Sequence, residues 1–399
     1  MTIPYKFDRM EFSGSLGDLG TLLPLAMGMI VVNGMSATGI FFTIGLFYIG
    51  AGLYFGVPVP VQPMKAISAY AIATGISATQ ISSSVALTSL FLFIIGLSGG
   101  INLIGRMIPK AVIRGIQVST GTLLMMQGLK LIIGTSSQQL AAGSAEPFLK
   151  ISALGPLPIG VLLGTAGALL TLLLMHNKKY PAALVLISAG FLVGIFWGKN
   201  GITTAVQFGF HLPELLPFGL PSQPDLVIAF FVLVLPQLPM TIGNAIIANA
   251  DLSKDYFGEE SKKVTYKATT LSMALANSLC FLLGGIPLCH GAGGLAAHYK
   301  FGARTGGSNV IIGIIFLCFA LFLGQHATAI LHLLPTSILG VLLVFAGSQL
   351  SLSILDMMVQ KEMFVVLLIL AITLTTSLSW GFTVGLIIAH LLKADKISI

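Results

Sequence analysis

The sequence predicts an all-α polytopic membrane protein of fourteen segments, arranged as a seven-plus-seven inverted repeat whose two half-helices, the third and tenth segments, meet at the midplane. Three observations predict it. Of 399 residues, 55% are hydrophobic and 8% charged, against roughly 25% charged in soluble domains, and the mean hydropathy is +0.97. Apolar runs of about 20 residues follow one another from end to end, each matched to ~30 Å of hydrocarbon. Two runs, around residues 57 and 286, are interrupted by proline and resume in small residues, the pattern of a helix that begins inside the bilayer.

The first segment, 13 to 34, opens on GSLGDLG, where Gly14, Gly17 and Gly20 recur at spacing three and predict one closely packed face with Ser15 and Asp18 beside it. The second runs 36 to 56. In the third, Gly56 to Ala73 (GVPVPVQPMKAISAYAIA), Pro58 and Pro60 forbid helix while Val57, Val59 and Val61 alternate with them, so the chain is extended there. Pro63 stands where prolines start helices, and MKAISAYAIA continues as a half-helix. The fourth segment is 79 to 98. Arg106, Lys110 and Arg114 form a basic connection into the fifth, 110 to 134, and a polar stretch, 135 to 157, leads to the sixth, 158 to 175. His176 to Lys179 separate it from the seventh, 181 to 198, and a proline-rich link, 199 to 224, joins the halves. The eighth runs 225 to 250, where Pro236 and Pro239 free backbone carbonyls. The ninth runs 264 to 284, the tenth is the second half-helix in Gly284 to His298 (GGIPLCHGAGGLAAH), and the last four are 307 to 324, 335 to 355, 362 to 378 and 379 to 393.

Charge sets the orientation. With the amino terminus in the cytosol, sixteen of the twenty Lys and Arg lie inside, Lys130, Lys150 and Lys199 lie outside, and Lys65 lies within the membrane. That asymmetry predicts both termini on the cytosolic side of a plasma (inner) membrane. The net charge of +7 is scattered over short loops rather than gathered into a stripe, so no nucleic-acid partner is expected. The amino terminus mixes both signs of charge, unlike a cleaved signal peptide. The halves also correspond, Val57-Pro58 with Ile286-Pro287 and Pro109 to Ile113 with Pro335 to Leu339. Seven segments being odd, the second copy enters from the opposite side. Residues 1–200 form the first repeat, 201–224 the linker and 225–399 the second.

The chemistry expected at the paired breaks is anion binding. The first-turn amides of Met64, Lys65 and Ala66 and the stretch His290, Gly291, Ala292, Gly293, Gly294 present backbone donors, each helix end adds about half a positive charge, and the Lys65 ammonium nearly completes the balance for a dianion. The same glycines also suit close helix packing, and Lys65 also suits an ion pair with Asp18. Asp18 is otherwise a relay for a coupling proton or sodium ion. Gln237, Thr241 and Asn244 share one face of the eighth segment and either hydrogen-bond neighbouring helices or, for Gln237 above all, donate to the substrate. His290 either donates to the anion, senses pH or is simply hydrogen-bonded. No cofactor or metal is expected, since Cys280, Cys289 and Cys318 lack paired spacing and the histidines form no ligand cluster.

The stretches GSLGDLGTLLPL, PVPVQPMKAISA, LPQLPMTIGNAIIA and IPLCHGAGGLAAHYKFGARTGG together resemble the molybdate transporter family, the branch of the SulP sulfate-permease superfamily without the usual cytosolic STAS domain. The resemblance spans nearly the whole chain. It implies a core domain moving against a gate domain, a homodimer, and an oxyanion site formed by Gln62, Pro63, Met64 and Lys65 with His290 to Gly294. Only Lys393 to Ile399 follow the last segment, so no STAS domain is expected. The function expected is a secondary transporter, not an enzyme, importing molybdate first and sulfate second. A nucleobase or bicarbonate carrier and a passive anion channel stay open; no G-x-x-x-x-G-K-[ST] loop points to ATP.

Overall fold

A computed structural model describes residues 5–101, 108–175, 177, 181–199, 209–324 and 326–394. Arg106, His176, Lys178, Lys179 and Lys396, and residues 201–208 of the expected linker, lie outside the described residues. The first span is broken: α1 (Arg9–Ser15) and α2 (Leu19–Val31) meet at 41°. The run GSLGDLG has too few helix formers to carry one helix through. The predicted glycine face is therefore split: Gly14 packs on the Ala303 backbone and Gly17 on that of Ala297, whereas Gly20 turns toward Ala183.

The helix α3 (Ala37–Phe55) is capped by Ser36 and closed by Gly56 at φ +76°. The chain then runs extended into β1 (Gln62–Pro63), and α4 (Lys65–Thr74) starts two residues after Pro63, with Met64 at its N-cap. Pro63 thus belongs to the ribbon rather than opening the helix. Next come α5 (Ala78–Ser98), α6 (Lys110–Ile133), the short α7 (Ser137–Ala141), the hairpin β2 (Ala153–Leu154) and β3 (Leu157–Pro158), α8 (Ile159–Leu174) and α9 (Ala182–Trp197).

The second half opens on one rod, Gln223–Ser261, which overruns the expected end at 250. It contains α10 (Gln223–Ile228), α11 (Leu235–Met240) and α12 (Ala248–Phe257), joined by wide π-helical turns at Ala229–Val234 and Thr241–Ile247. Pro236 and Pro239 cannot donate to the helical ladder, and wider turns flank them without ending the rod. It is followed by α13 (Tyr266–Leu283), β4 (Leu288–Cys289), α14 (Ala292–Lys300), α15 (Gly307–Leu323), α16 (His326–Leu331), α17 (Thr336–Ser351), α18 (Gln360–Thr375) and α19 (Leu378–Lys393).

Among the described residues, five helices are individually long and apolar enough to cross a membrane, six counting the bent α1–α2 pair. The apolar helices α8, α9, α15 and α19 are 16 or 17 residues long, within a residue of the predicted bounds at each end, and Pro158, Pro181, Gly198, Gly306 and Gly324 flank three of them. Sixteen residues of helix reach only ~24 Å.

The helices pack in two groups. In one, α3 lies on α15 and α5 on α13; in the other, α6 lies on α17 and α18, and α18 on α19. The groups meet where α4 faces α6 and α2 faces α17. Each group has a glycine seam at its centre. A Cβ on Gly121 would come within 2.5 Å of the Gly347 carbonyl oxygen and one on Gly128 within 2.5 Å of that of Gly340; Gly45 and Gly313 meet in the same way at 2.7 Å, with Gly52 meeting Gly306 one step along. Both pairs run antiparallel, backbone on backbone.

Extended chain at membrane depth must find partners other than water. Here buried asparagines supply them. The Asn309 side chain accepts from the Val59 amide at 3.3 Å and donates to the Val59 carbonyl at 2.5 Å. Asn277 does the same for Leu288, at 3.0 and 2.8 Å. Replacing Asn277 by Leu strands both backbone groups of Leu288, so we expect a loss of about 2–4 kcal/mol in unfolding experiments on the purified protein, whereas Leu279→Ala, at a 40% exposed position, stays within ~0.5 kcal/mol.

Candidate functional site

The two broken segments form one short antiparallel ribbon, with Gln62 opposite Cys289 and Pro63 opposite Leu288, and the Met64 amide donates to the Pro287 carbonyl at 2.8 Å. From this ribbon α4 and α14 both start, and their first turns carry most of the residues that the sequence singles out.

Asp18 sits at the α1–α2 bend, 4% exposed, and does not cap α2 with its side chain. Instead its two oxygens accept from Gln62 Nε2 at 2.8 and 2.7 Å. This pair fits only because α14 presents glycine to it. A Cβ on Gly294 would lie 2.7 Å from Asp18 Oδ2, 2.7 Å from Pro60 Cβ and 2.9 Å from Gln62 Nε2, and Gly291 lies directly against the Gln62 amide oxygen. That oxygen is buried without a hydrogen-bond partner.

The alternative ion pair of Lys65 with Asp18 is not formed, and Gln62 takes the carboxylate. The ammonium of Lys65 lies 3.7 Å from the position of a Cβ on Gly293, so a side chain from the first turn of α4 reaches the first turn of α14. Lys65 also lines a cavity of about 220 Å³ together with Thr21, Asn244, Arg114, Gln117, Gln349 and Ser353.

Gln237 acts differently from the expected donor. Its oxygen accepts from the amides of Ala66 at 2.9 Å and Ile67 at 3.3 Å, and its Nε2 donates to Thr241 Oγ1 at 3.0 Å. It thus caps α4 from outside, which leaves two of that helix's first amides engaged and makes Thr241 a positioning residue for the cap. The first turn of α14 has no side-chain cap, because Gly291 occupies the N-cap position. The helical register leaves the amides of Ala292 and Gly293 without an intrahelical acceptor.

His290 points away from these helix ends. Its Nδ1 meets the Pro60 carbonyl at 2.8 Å, its Nε2 meets the Ser272 hydroxyl at 3.0 Å, and its ring packs on Phe47 and Phe55. With both nitrogens engaged and no exposed surface, it holds the extended segment in place and has no donor left for an anion. Sequence reasoning passed over Asn277 and Asn309, whose signal was an isolated amide in an apolar run. It also read Arg114 only as a marker of orientation, although Arg114 and Gln117 lie one turn apart and both reach the cavity beside Lys65.

Comparison with known proteins gives this geometry a context. A family model described as "Molybdate transporter of MFS superfamily" matches residues 10–124 and 229–350. Over 419 aligned positions the chain is 31% identical to Molybdate transporter 2 of Arabidopsis thaliana, covering 96% of this chain and 87% of that one. Among solved structures, the transmembrane domain of the bicarbonate transporter BicA from a cyanobacterium superposes with a TM-score of 0.65 at 17% identity, covering 98% of this chain and 100% of that one. The murine Slc26a9 anion transporter in its inward-facing state gives 0.69 at 14% identity, covering 99% and 70%. These likenesses are of fold, and the protein is a multi-pass membrane protein built on it.

The contrast between neighbouring glycines yields a test. Gly294→Ala drives a methyl into Asp18, Pro60 and Gln62, and should lower stability by about 1–3 kcal/mol. Gly293→Ala meets nothing nearer than the Lys65 ammonium and should fall within ~0.5 kcal/mol of the parent. Thermal unfolding of both variants, side by side in one detergent, checks the order.

Proposed function

The chain belongs to the molybdate transporter family, and from that premise we propose that it is a secondary active transporter that imports a tetrahedral oxyanion, molybdate first, by alternating access. One observation carries the reading: the Lys65 ammonium, on a short helix that starts from the buried ribbon, lies over the glycine-lined start of the facing short helix α14 and makes no ion pair with the nearby Asp18. A cation beside uncapped amides in a low-dielectric setting suits a compact anion.

The substrate contacts in this reading are Lys65, the Ala292 and Gly293 amides and the Asn244 side chain, while Gln62, Gln237 and the other glycines hold them in place. Asp18 is the group at which a proton or sodium ion would couple, through the Gln62 amide that its carboxylate already engages. The alternation is a movement of the group built on the α3–α15 seam, the core, against the group built on α6 and α17, the gate. Support for a seven-plus-seven inverted repeat comes from the matched proline breaks and from Pro109 and Pro335, which occupy the N-cap positions of α6 and α17. The excess of Lys and Arg on one side supports cytosolic termini in a plasma membrane.

Ligand binding stabilises the native state by mass action, by about 2.7 kcal/mol at a hundred times Kd. Molybdate and tungstate should therefore raise the Tm of the purified chain, with sulfate, bicarbonate and uracil as comparisons. Lys65→Ala and Gly293→Leu should each abolish the molybdate response while leaving the ligand-free Tm within a few degrees. If both variants keep wild-type binding, the pocket is elsewhere.

A further inference from the structure

The cavity beside Lys65 has a second cation on its far wall. Arg114 and Gln117 reach it from α6, Gln349 from α17 and Ser353 from the turn Leu352–Asp356, opposite Thr21 of α2, Lys65 of α4 and Asn244 of the long rod. Two cations, three amides and two hydroxyls line it, and no carboxylate does. The Ser353 hydroxyl is buried without a hydrogen-bond partner.

Arg114 is occupied in a way that suggests its use. Its Nε donates to Asp356 Oδ1 at 2.9 Å and its Nη2 to Asp356 Oδ2, a two-pronged grip on one carboxylate, while Nη1 donates to Gln117 Oε1 at 2.7 Å. A guanidinium has five N–H donors in a rigid fork, and the fork that fits a carboxylate fits two oxygens of a tetrahedral oxyanion equally well. Asp356 is also held by Lys110, at 2.9 Å. Releasing Arg114 therefore leaves the carboxylate paired rather than alone. The Arg114 and Asp356 side chains are 24% and 41% exposed, so solvent reaches the pair and screens it while the anion is exchanged.

We propose that Arg114 is the gate-side ligand of the transported anion, and that Asp356 is a resident substitute which occupies the guanidinium until the anion displaces it. The inference rests on the reading of Lys65 as the core-side ligand. It adds that the substrate is gripped from both packing groups at once, so that its arrival ties α6 to α4. The carboxylate then acts as a built-in competitor that sets affinity from outside the cavity lining.

The test is the sign of two effects on oxyanion binding by the full-length purified protein, titrated with molybdate, tungstate and sulfate. Arg114→Gln should weaken binding on the order of tenfold, the loss expected for a charge-assisted bond. Asp356→Asn should tighten it several-fold and steepen its dependence on competing chloride, because the freed guanidinium is then open to chloride as well. A purely structural ion pair predicts that both variants weaken binding together and lower Tm together, and that result, or no change in either, overturns the proposal. Lys65→Ala reports separately on the reading beneath it: unchanged binding there, with opposite shifts at Arg114 and Asp356, would discard the Lys65 pocket and keep the exchange.

Discussion

Backbone groups in hydrocarbon must be satisfied by protein, and the rest of this structure depends on how that demand is met at two places where the chain is not helical. Val57 to Pro63 and Leu288 to Cys289 run extended in a fully buried setting. They pair with each other for a few residues, and side chains complete the pairing: Asn309 on Val59, Asn277 on Leu288, His290 on Pro60. Each of these amides or rings comes from a helix packed beside the ribbon or from the ribbon's own end. The ribbon is consequently fixed from several directions, and the two short helices that leave it inherit that rigidity. A site made of backbone donors is only as well placed as the backbone, and here the backbone has no freedom to drift.

Charge placement follows from the same arrangement. A half-buried lysine next to a buried aspartate would normally close into a pair, satisfied and inert. Gln62 prevents this by donating to both carboxylate oxygens from the strand that precedes Lys65. The neutral amide satisfies the aspartate and leaves the ammonium for something else. Glycine at 291 and 294 is what lets Gln62 and Asp18 lie so close to α14, so the small residues serve packing and electrostatics together. The glycines of this run differ by position: Gly291 and Gly294 face the polar pair, and Gly293 faces Lys65.

What could be read in the sequence was whatever depends on residue type. Proline pairs, a lone lysine in apolar surroundings and a glycine run were sufficient to single out residues 57–66 and 286–294. What could not be read was rotation about a helix or strand. His290 belongs to the right stretch yet faces Phe47 and Ser272, and Gln237 lies beside the right helix yet presents its oxygen to it. The bend at Asp18 is hidden because the pattern on either side of it is equally apolar. The place of Arg114 beside the cavity is hidden for another reason. A basic residue near a segment end satisfies the orientation rule, and that sufficient explanation hid the cavity behind it.

The glycine seams bear on how such a molecule could move. In α6 against α17, Gly121 meets Gly347 and Gly128 meets Gly340; in α3 against α15, Gly45 meets Gly313 and Gly52 meets Gly306. The spacing is seven residues in each helix, two turns, so the contacts recur on one face and bring main chain against main chain. Sliding one helix along its partner there would drive Cα atoms into carbonyl oxygens. Each seam therefore resists shear between the two helices that it joins. Between the groups the contacts are of another kind: α4 faces α6 and α2 faces α17 across cavities lined by longer side chains such as Leu25, Leu124 and Gln349. Rotamer changes in these can absorb displacement that the seams cannot. If the two groups do shift relative to one another, the compliant surface is the one that carries Lys65 on one wall and Arg114 on the other.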